Sequence, residues 1–117
     1  KYSWGNTINC SQARYGYFSD ECGKQGSTDP VDRFTTNQMG VYDLYGNVTE
    51  WTQDCWNDSY AGAPDDGSAW LTGDCGRRVI RGGSWSTFST GMRASFRYSF
   101  PADDRRPNVG LRLVLDL

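Results

Sequence analysis

The stretch GVYDLYGNVTEW, residues 40–51, places oxygen-bearing side chains at short spacing. Asp43 and Glu50 bracket Gly46-Asn47-Val48, a turn that can aim backbone carbonyls inward. Two carboxylates and two or more carbonyls form a shell of hard oxygen ligands. Ca²⁺ requires such a shell, whereas Mg²⁺ needs stricter octahedral geometry and more water. The stretch is therefore a candidate calcium site. The alternative is a capped turn whose side chains only satisfy nearby backbone groups.

A second stretch, RGGSWSTFSTGMRASFR at residues 81–97, joins a glycine turn and a tryptophan to small hydroxyl residues and then to arginines. It contains no residue that indicates an enzyme. The chain as a whole has no histidine. This excludes Ser-His-Asp and Cys-His nucleophilic catalysis, histidine-ligated zinc or iron, and acid–base chemistry by histidine. Most hydrolase mechanisms are excluded with them.

The four cysteines are Cys10, Cys22, Cys55 and Cys75. Three disulfide pairings are formally possible, and the sequence does not choose among them. Pairing Cys10 with Cys22 and Cys55 with Cys75 is simplest, and each closed loop would contribute roughly 3 kcal/mol in the loop-entropy model. Zinc is the rival use, but there is no CxxC spacing. Disulfides predict an oxidising compartment, periplasmic or secreted.

The elements that must position these residues are short strands and loops, since helical periodicity is nearly absent. Residues 93–100 alternate and predict a half-buried strand with Ala94, Phe96, Tyr98 and Phe100 on one face. Residues 109–117 predict another, with Arg112 and Asp116 opposite a buried row of Val109, Leu111, Leu113, Leu115 and Leu117. RRVIRGG, residues 77–83, predicts a strand ending at a glycine turn. Residues 57–75 read as a surface excursion, and tryptophans 51, 70 and 85 as packing residues.

Length and charge restrict the function further. A chain of 117 residues suits one domain with a modest core. The net charge of −2 does not favour nucleic acid or a membrane surface. No apolar run approaches the roughly 18 residues that span a bilayer. The chain opens with polar KYSWGN and without methionine, which suggests a mature product or an excised piece. Residues before Arg77 are mainly acidic and later ones mainly basic, which predicts arginine–carboxylate pairs within the fold.

Four motifs occur in a recognisable order: GVYDLYGNVTEW, RRVIRGGSW, RASFR and NVGLRLV. This order resembles the formylglycine-generating enzyme (sulfatase-modifying factor) family, whose pattern runs G-L-Y-D-M-x-G-N-V-W-E-W, R-V-x-R-G-G-S-W, R-x-x-x-R and G-F-R. The resemblance covers nearly the whole chain. It implies an α+β class and a C-type lectin-like fold, loop-rich with short antiparallel strands. Whole family domains are longer, so residues 1–117 would form a single sulfatase-modifying-factor-type domain without the family's N-terminal half and its helices.

The resemblance also implies a specific calcium site. Family members bind calcium at the G-N-V motif through the preceding Asp or Asn, two backbone carbonyls and the Glu. Matched position by position, the ligands here would be Asp43, Gly46, Val48 and Glu50. A second family calcium site does not carry over, because this chain has Arg14-Tyr15 in its place.

The catalytic residues of the family are not matched. Active members are copper-dependent oxidases that convert a sulfatase cysteine to formylglycine, using two cysteines shortly after G-G-S-W or G-G-S-Y. Residues 86–92 contain no cysteine. Their hydroxyl oxygens are poor ligands for Cu(I), which prefers thiolate sulfur. The loop is also shorter than in the oxidases.

Two functions follow from this comparison. The first is a non-catalytic binding module for a protein or peptide, because the family contains cysteine-free paralogues and variable proteins that use the region after G-G-S-W for binding. The candidate ligand-binding residues are Ser86, Thr87, Phe88, Ser89 and Thr90, whose composition suits an adaptable surface. An ordinary surface loop is the alternative for these residues. The second function is an oxidoreductase of the formylglycine-generating type, or a part of one. The sequence does not predict the oligomeric state.

Overall fold

A computed structural model of the chain describes residues 1–23 and 26–115. Four strands form one sheet: β1 (Thr49–Trp56), β2 (Asp74–Arg81), β3 (Tyr98–Pro101) and β4 (Val109–Gly110). The strand order is β3-β2-β1-β4, with β1 parallel to β4 and the other two pairs antiparallel. Two short 3₁₀ segments occur at Tyr17–Ser19 and Ser89–Gly91. The described residues contain no α-helix, so the expected strands and loops are present and the helical part of the α+β class is not.

The strand predicted from RRVIRGG is confirmed as the second half of β2. Val79 and Ile80 are its buried residues. The strand ends at Arg81, and Gly82 and Gly83 follow with φ of 88° and 70°. Such positive φ values are readily adopted by glycine, so the chain can turn sharply here. The turn leads directly into the serine-rich stretch that begins at Ser84.

The strand predicted at residues 93–100 begins only at Tyr98. The Phe96 N–H donates to the Arg93 carbonyl at 2.9 Å, so the preceding residues form a turn. The expected faces are also inverted, because Ser99 is buried and Tyr98 is half exposed. The Arg77 guanidinium explains the inversion: it donates to the Ser99 hydroxyl at 3.0 Å and to the Ser99 carbonyl at 2.9 Å.

The strand predicted at residues 109–117 is reduced to Val109–Gly110. Leu111, Leu113 and Leu115 were expected on a buried face, but they are 69%, 88% and 80% exposed. Asp116 and Leu117 lie outside the described residues. The physical reason is that β4 pairs with β1 only at Thr49–Glu50, and the chain beyond it is held by the Arg112 side chain instead of a strand ladder.

The first disulfide, Cys10–Cys22, has formed as expected and closes an irregular segment that carries part of the core. Ala13 and Tyr15 of this segment join Tyr45 and Met92 in one buried cluster. These residues are distant in sequence, so the cluster connects the N-terminal segment to the turn that contains Gly46-Asn47-Val48 and to the serine-rich loop. The described residues before β1 form no strand and, apart from the short 3₁₀ segment at Tyr17–Ser19, no helix.

The second disulfide, Cys55–Cys75, joins β1 to β2 and closes the surface excursion between them. The base of the excursion is held by two further bonds. Cys55 donates its N–H to the Trp70 carbonyl at 2.8 Å, and the Trp70 N–H donates to the Asp54 carboxylate at 2.8 Å. Trp51, Trp70 and Trp85 are half-buried, in keeping with packing roles. No helix in the described ranges is long and apolar enough to cross a bilayer.

Candidate functional site

The turn between Asp43 and Glu50 depends on left-handed backbone conformations. Asp43, Gly46 and Asn47 have φ of 50°, 84° and 65°. Glycine and, less readily, Asn and Asp adopt this region, which explains their presence at these positions. Gly46 also approaches the backbone of Arg14 so closely that any Cβ would collide with the Arg14 carbonyl. Its N–H donates to the Gly82 carbonyl at 2.9 Å, which places the turn beside the end of β2.

Asn47 is the central residue of the turn. Its side chain is buried, accepts the Asp29 N–H at 3.0 Å, and donates to the Asp29 carbonyl and the Asp43 carboxylate, both at 3.1 Å. Its backbone N–H donates to the Arg14 carbonyl, and its carbonyl accepts the Trp85 N–H, both at 2.9 Å. One asparagine therefore connects the N-terminal segment, the turn and the serine-rich loop.

The carboxylates of Asp43 and Glu50 lie near one cation, the guanidinium of Arg112. This group contacts both oxygens of Glu50, at 2.6 and 3.0 Å, and donates to the Tyr42 carbonyl at 2.9 Å and the Asp43 carbonyl at 3.4 Å. Hydrogen bonds to Glu50 raise the pKa of Arg112. Burial raises the pKa of the Asp43 carboxyl, because desolvation penalises its charged form. The turn thus gathers oxygen atoms around a positive charge.

The structure brings the predicted calcium ligands into one turn, but Arg112 occupies the carboxylate of one of them, Glu50. Asp43 and Glu50 are both half-buried in the turn, with Gly46 and Val48 between them. In the described part of the chain no group of three or more His, Cys, Asp or Glu side chains could hold a metal ion. The donor chemistry nevertheless fits a hard cation that takes carbonyl as well as carboxylate oxygens. Glu50 can serve such an ion only after its contact with Arg112 is released or shared.

The serine-rich loop contains a cluster of hydrogen-bonded hydroxyl groups. Ser84 is fully buried, and its hydroxyl lies 3.0 Å from that of Ser86 and 3.1 Å from that of Thr87. The Asn108 amide donates to the Ser86 hydroxyl at 2.9 Å and to the Ser84 hydroxyl at 3.3 Å. Ser86 and Thr87, two of the predicted ligand-binding residues, are therefore fixed by side chains that hold the loop in shape.

The outer part of the same loop lies against the N-terminal segment. The Gly16 N–H donates to the Thr87 carbonyl at 2.8 Å, and the Tyr17 N–H donates to the Trp85 carbonyl at 3.0 Å. Glu21 accepts the Ser19 hydroxyl at 2.6 Å and the Ser89 N–H at 3.2 Å. These bonds, first from Ser19 and then from Ser89, lower the pKa of the Glu21 carboxyl.

Each of the two segments exposes a phenylalanine ring. Phe88 of the loop is 54% exposed and Phe18 of the N-terminal segment is 69% exposed. Tyr17 packs edge-on against Phe18 and against Trp85 of the loop, with ring centroids 4.9 and 5.5 Å apart. We call Phe18, Phe88, Ser89 and Thr90 the aromatic platform. Phe88 directly precedes the short 3₁₀ segment, which begins with Ser89 and Thr90.

The sequence does not mark Arg112, Asn108, Phe18 or Glu21 as site residues. Only Arg112 had a usable signal, because arginines late in the chain were expected to pair with acidic residues earlier in it. The Arg112–Glu50 pair at 2.6 Å is such a contact. Arg77, Arg78, Arg81 and Arg93 instead donate to carbonyl, hydroxyl or sulfur acceptors, so the expectation does not extend to them.

All 117 residues match the family model described as the sulfatase-modifying factor enzyme 1-like domain. The chain is 31% identical to the formylglycine-generating enzyme of Mus musculus, over 98% of this chain and 34% of that protein. It is 32% identical to the inactive C-alpha-formylglycine-generating enzyme 2 of Bos taurus, over 95% of this chain and 36% of that protein. The solved structure of PvdO from Pseudomonas aeruginosa superposes with a TM-score of 0.78 and 37% identity, over 92% of this chain and 40% of that chain.

The fold and the ordered motifs therefore define a formylglycine-generating-enzyme-like domain. The chain belongs to the sulfatase-modifying factor enzyme 1-like family, as the resemblance predicted. It spans about a third of the length of the two curated relatives named above.

Proposed function

We propose that this chain is a non-catalytic, calcium-stabilised binding module on a C-type lectin-like variant of the family fold. It would recognise a protein or peptide through the aromatic platform and the neighbouring hydroxyl residues 86–90. The observation that carries the proposal is the exposure of Phe88 and Phe18 on segments that are hydrogen-bonded to each other and backed by the hydroxyl cluster. A fixed loop that displays an aromatic ring loses little entropy on binding.

The cysteine chemistry supports a role other than copper oxidation. All four cysteines of the chain are in the disulfides Cys10–Cys22 and Cys55–Cys75. No thiolate is left to bind Cu(I), and the hydroxyl groups of Ser86 and Thr87 are hard ligands that suit it poorly. The residues present therefore do not fit the copper centre of the active family members. The disulfides also support an extracytoplasmic location, because such bonds persist in oxidising compartments.

Calcium would act as a structural cation at Asp43, Gly46, Val48 and Glu50. Its positive charge would offset the desolvation of the Asp43 carboxylate and hold the turn that contains Asn47. The Arg112 guanidinium contacts the Glu50 carboxylate, so calcium and Arg112 would compete for Glu50. The turn would thus be neutralised by arginine in the absence of the ion and by calcium in its presence.

The calcium proposal is tested by thermal unfolding with calcium or EGTA. At a calcium concentration 100 times the Kd, binding should stabilise the fold by about 2.7 kcal/mol. Asp43→Ala and Glu50→Ala should remove this gain, whereas Asp65→Ala, at an exposed loop carboxylate, should retain it. Arg112→Gln should lower the Tm in EGTA and enlarge the gain from calcium. A Tm that does not respond to calcium in the wild type or in Arg112→Gln would refute the proposal.

The binding proposal is tested with a displayed library of random peptides selected on the folded protein. Selected peptides should bind Phe88→Ala at least about tenfold more weakly, as expected for loss of a buried aromatic anchor. Leu71→Ala removes a similarly exposed apolar side chain from the distant excursion and should bind as the wild type does. Each variant should keep its Tm. If every selected peptide binds Phe88→Ala and Leu71→Ala equally well, the platform is not the binding surface.

The second candidate function is oxidation of a peptide cysteine, as in the formylglycine-generating type. The similarity to the Mus musculus enzyme favours it. It requires catalytic groups other than cysteine thiolates, or residues outside this chain. Titration with Cu(I) and a cysteine-containing peptide distinguishes the two functions. Stoichiometric copper binding with formation of the aldehyde would establish the enzyme and exclude the binding-only proposal.

A further inference from the structure

A cavity of about 140 Å³ lies on the face of the sheet that carries Ile80. Its lining contains none of the four proposed calcium ligands and none of the four residues of the aromatic platform. Most of its wall is apolar and is formed by Ile80, Phe96, Tyr98 and Phe100. Tyr98 and Phe100 meet edge to face with ring centroids 5.5 Å apart, so their rings define a firm wall.

The polar part of the cavity wall is formed by Thr49, Arg81, Thr87 and Asn108. Three of these side chains already have hydrogen-bond partners. The Thr87 hydroxyl accepts the Ser84 N–H at 2.9 Å, the Asn108 amide donates to Ser86 at 2.9 Å, and the Arg81 guanidinium donates to the Ala94 carbonyl at 3.1 Å. No described group forms a hydrogen bond with the Thr49 hydroxyl, which is therefore available to a ligand that enters the cavity.

The size and lining of the cavity indicate the class of ligand. An apolar cavity of about 150 Å³ in another protein stays dry and binds benzene, so about 140 Å³ accommodates a single six-membered ring. The Thr49 hydroxyl, which has no described hydrogen-bond partner, suits a ligand that carries a hydroxyl group.

We propose that this cavity is a binding site for a small aromatic molecule bearing one hydroxyl group, of the size of phenol. The ring packs against Phe96, Tyr98 and Phe100, and the ligand hydroxyl forms a hydrogen bond with the Thr49 hydroxyl. Both hydroxyls can donate and accept, so the pair satisfies the group that the protein leaves unpaired. The site shares Thr87 with the hydroxyl residues 86–90 of the binding proposal but contains none of the residues of the aromatic platform.

The test measures phenol and benzene binding to the oxidised chain of 117 residues by ligand titration monitored by NMR. Phenol should bind saturably, shift the aromatic signals of Phe96, Tyr98 and Phe100, and bind about three- to tenfold more tightly than benzene because of the added hydrogen bond. Thr49→Val removes the hydroxyl at nearly constant shape and should abolish the preference while benzene binding persists. Thr49→Ser keeps a hydroxyl and should retain the preference. Thr28→Val, at an exposed threonine, is the control and should behave as the wild type.

Three results would overturn the proposal. The first is the absence of saturable binding of both compounds to the wild type. The second is a preference for phenol that survives in Thr49→Val. The third is a set of shifted signals that excludes the cavity aromatics. If Thr49→Val fails to fold, the comparison of phenol with benzene in the wild type and in Thr49→Ser decides the matter alone. Because no peptide is used, failure here is distinct from failure of the platform experiment.

Discussion

Gly40 and Gly46 have similar backbone conformations in different surroundings. Their φ angles are 76° and 84°. A Cβ added at Gly40 would meet nothing within 4 Å, whereas one at Gly46 would collide with the Arg14 carbonyl. Gly40 is therefore favoured by conformation alone, and Gly46 by conformation and by packing. Comparing the two positions therefore separates the effect of backbone conformation from the effect of packing.

We expect Gly40→Ala to lower the free energy of unfolding by about 1–2 kcal/mol, the usual penalty of a left-handed conformation for an L-residue. Gly46→Ala should lower it by a further 1–3 kcal/mol or so, because the Arg14 backbone must move to admit the methyl group. Urea unfolding monitored by tryptophan fluorescence measures both changes. Equal losses in the two variants would show that the close approach of Arg14 and Gly46 is easily relieved.

The turn at Asn47 was predictable from the sequence, but its partners were not. Gly-Asn within a segment rich in Asp and Tyr is a local signal for positive φ, and local signals can be recognised from residue type. The hydrogen bonds of Asn47 instead reach Asp29, Arg14 and Trp85. Such contacts depend on how distant segments pack. Because residue type alone does not reveal contacts between distant segments, Arg112 was predicted on a solvated strand face and not beside Glu50.

Among the elements, the strand predicted from RRVIRGG is confirmed as the second half of β2, whereas alternation failed at β3 and after β4. β1 was not predicted because its register against β2 shifts between Trp51 and Cys55 and again between Cys55 and Trp56. Each irregularity breaks the period of two on which strand prediction depends. At β3 the alternation is clear, but the pairing of Arg77 with Ser99 reverses which face is buried. In the segment after β4, regular alternation occurs where no neighbouring strand covers it.

The contact between the N-terminal segment and the serine-rich loop should weaken in acid. The lowered pKa of Glu21 means that its ionised form stabilises the folded state. This contribution is present above the ordinary pKa of 4.5 and is lost as the pH falls through the lowered value. Amide hydrogen exchange of Ser89 should therefore accelerate in acid relative to the rest of the protein.

Glu21→Gln provides the control for this prediction. It keeps the side-chain shape and an acceptor oxygen but removes the charge, so Ser89 exchange should be faster at neutral pH and should lose its specific acid response. A wild-type Ser89 amide whose protection follows global stability at every pH would contradict the assigned role of Glu21.

At the scale of the whole molecule, each disulfide stabilises a different half of the chain. Cys10–Cys22 closes the segment that supplies Ala13 and Tyr15 to the core, and Cys55–Cys75 connects the two long strands. The adjacent pairing was the simplest of three possibilities, and the structure selects it. The family was also recognisable from the order of its motifs. The packing of Ala13 and Tyr15 was not recognisable, because no periodic pattern marks a core built from isolated loop residues.

Replacing either cysteine pair by alanines should lower the free energy of unfolding by about 3 kcal/mol, mainly by enlarging the unfolded ensemble. The loss should be slightly larger for Cys55→Ala/Cys75→Ala, because the Cys55–Cys75 disulfide joins residues 20 positions apart, compared with 12 for Cys10–Cys22. Guanidinium titrations of both double variants give the comparison. Unchanged midpoints would mean that the native contacts alone set the stability of this small domain.

The excursion between the long strands, with most of residues 58–68 exposed, is an obvious target for a protease. Because Cys55 and Cys75 are bonded at its base, a cut within it leaves the two fragments covalently joined. A nicked preparation would run as one band on a gel without reductant and as two bands with it. The exposed residues Asp65 and Asp66 of the excursion are a suitable position for inserting an epitope or a fluorescent label.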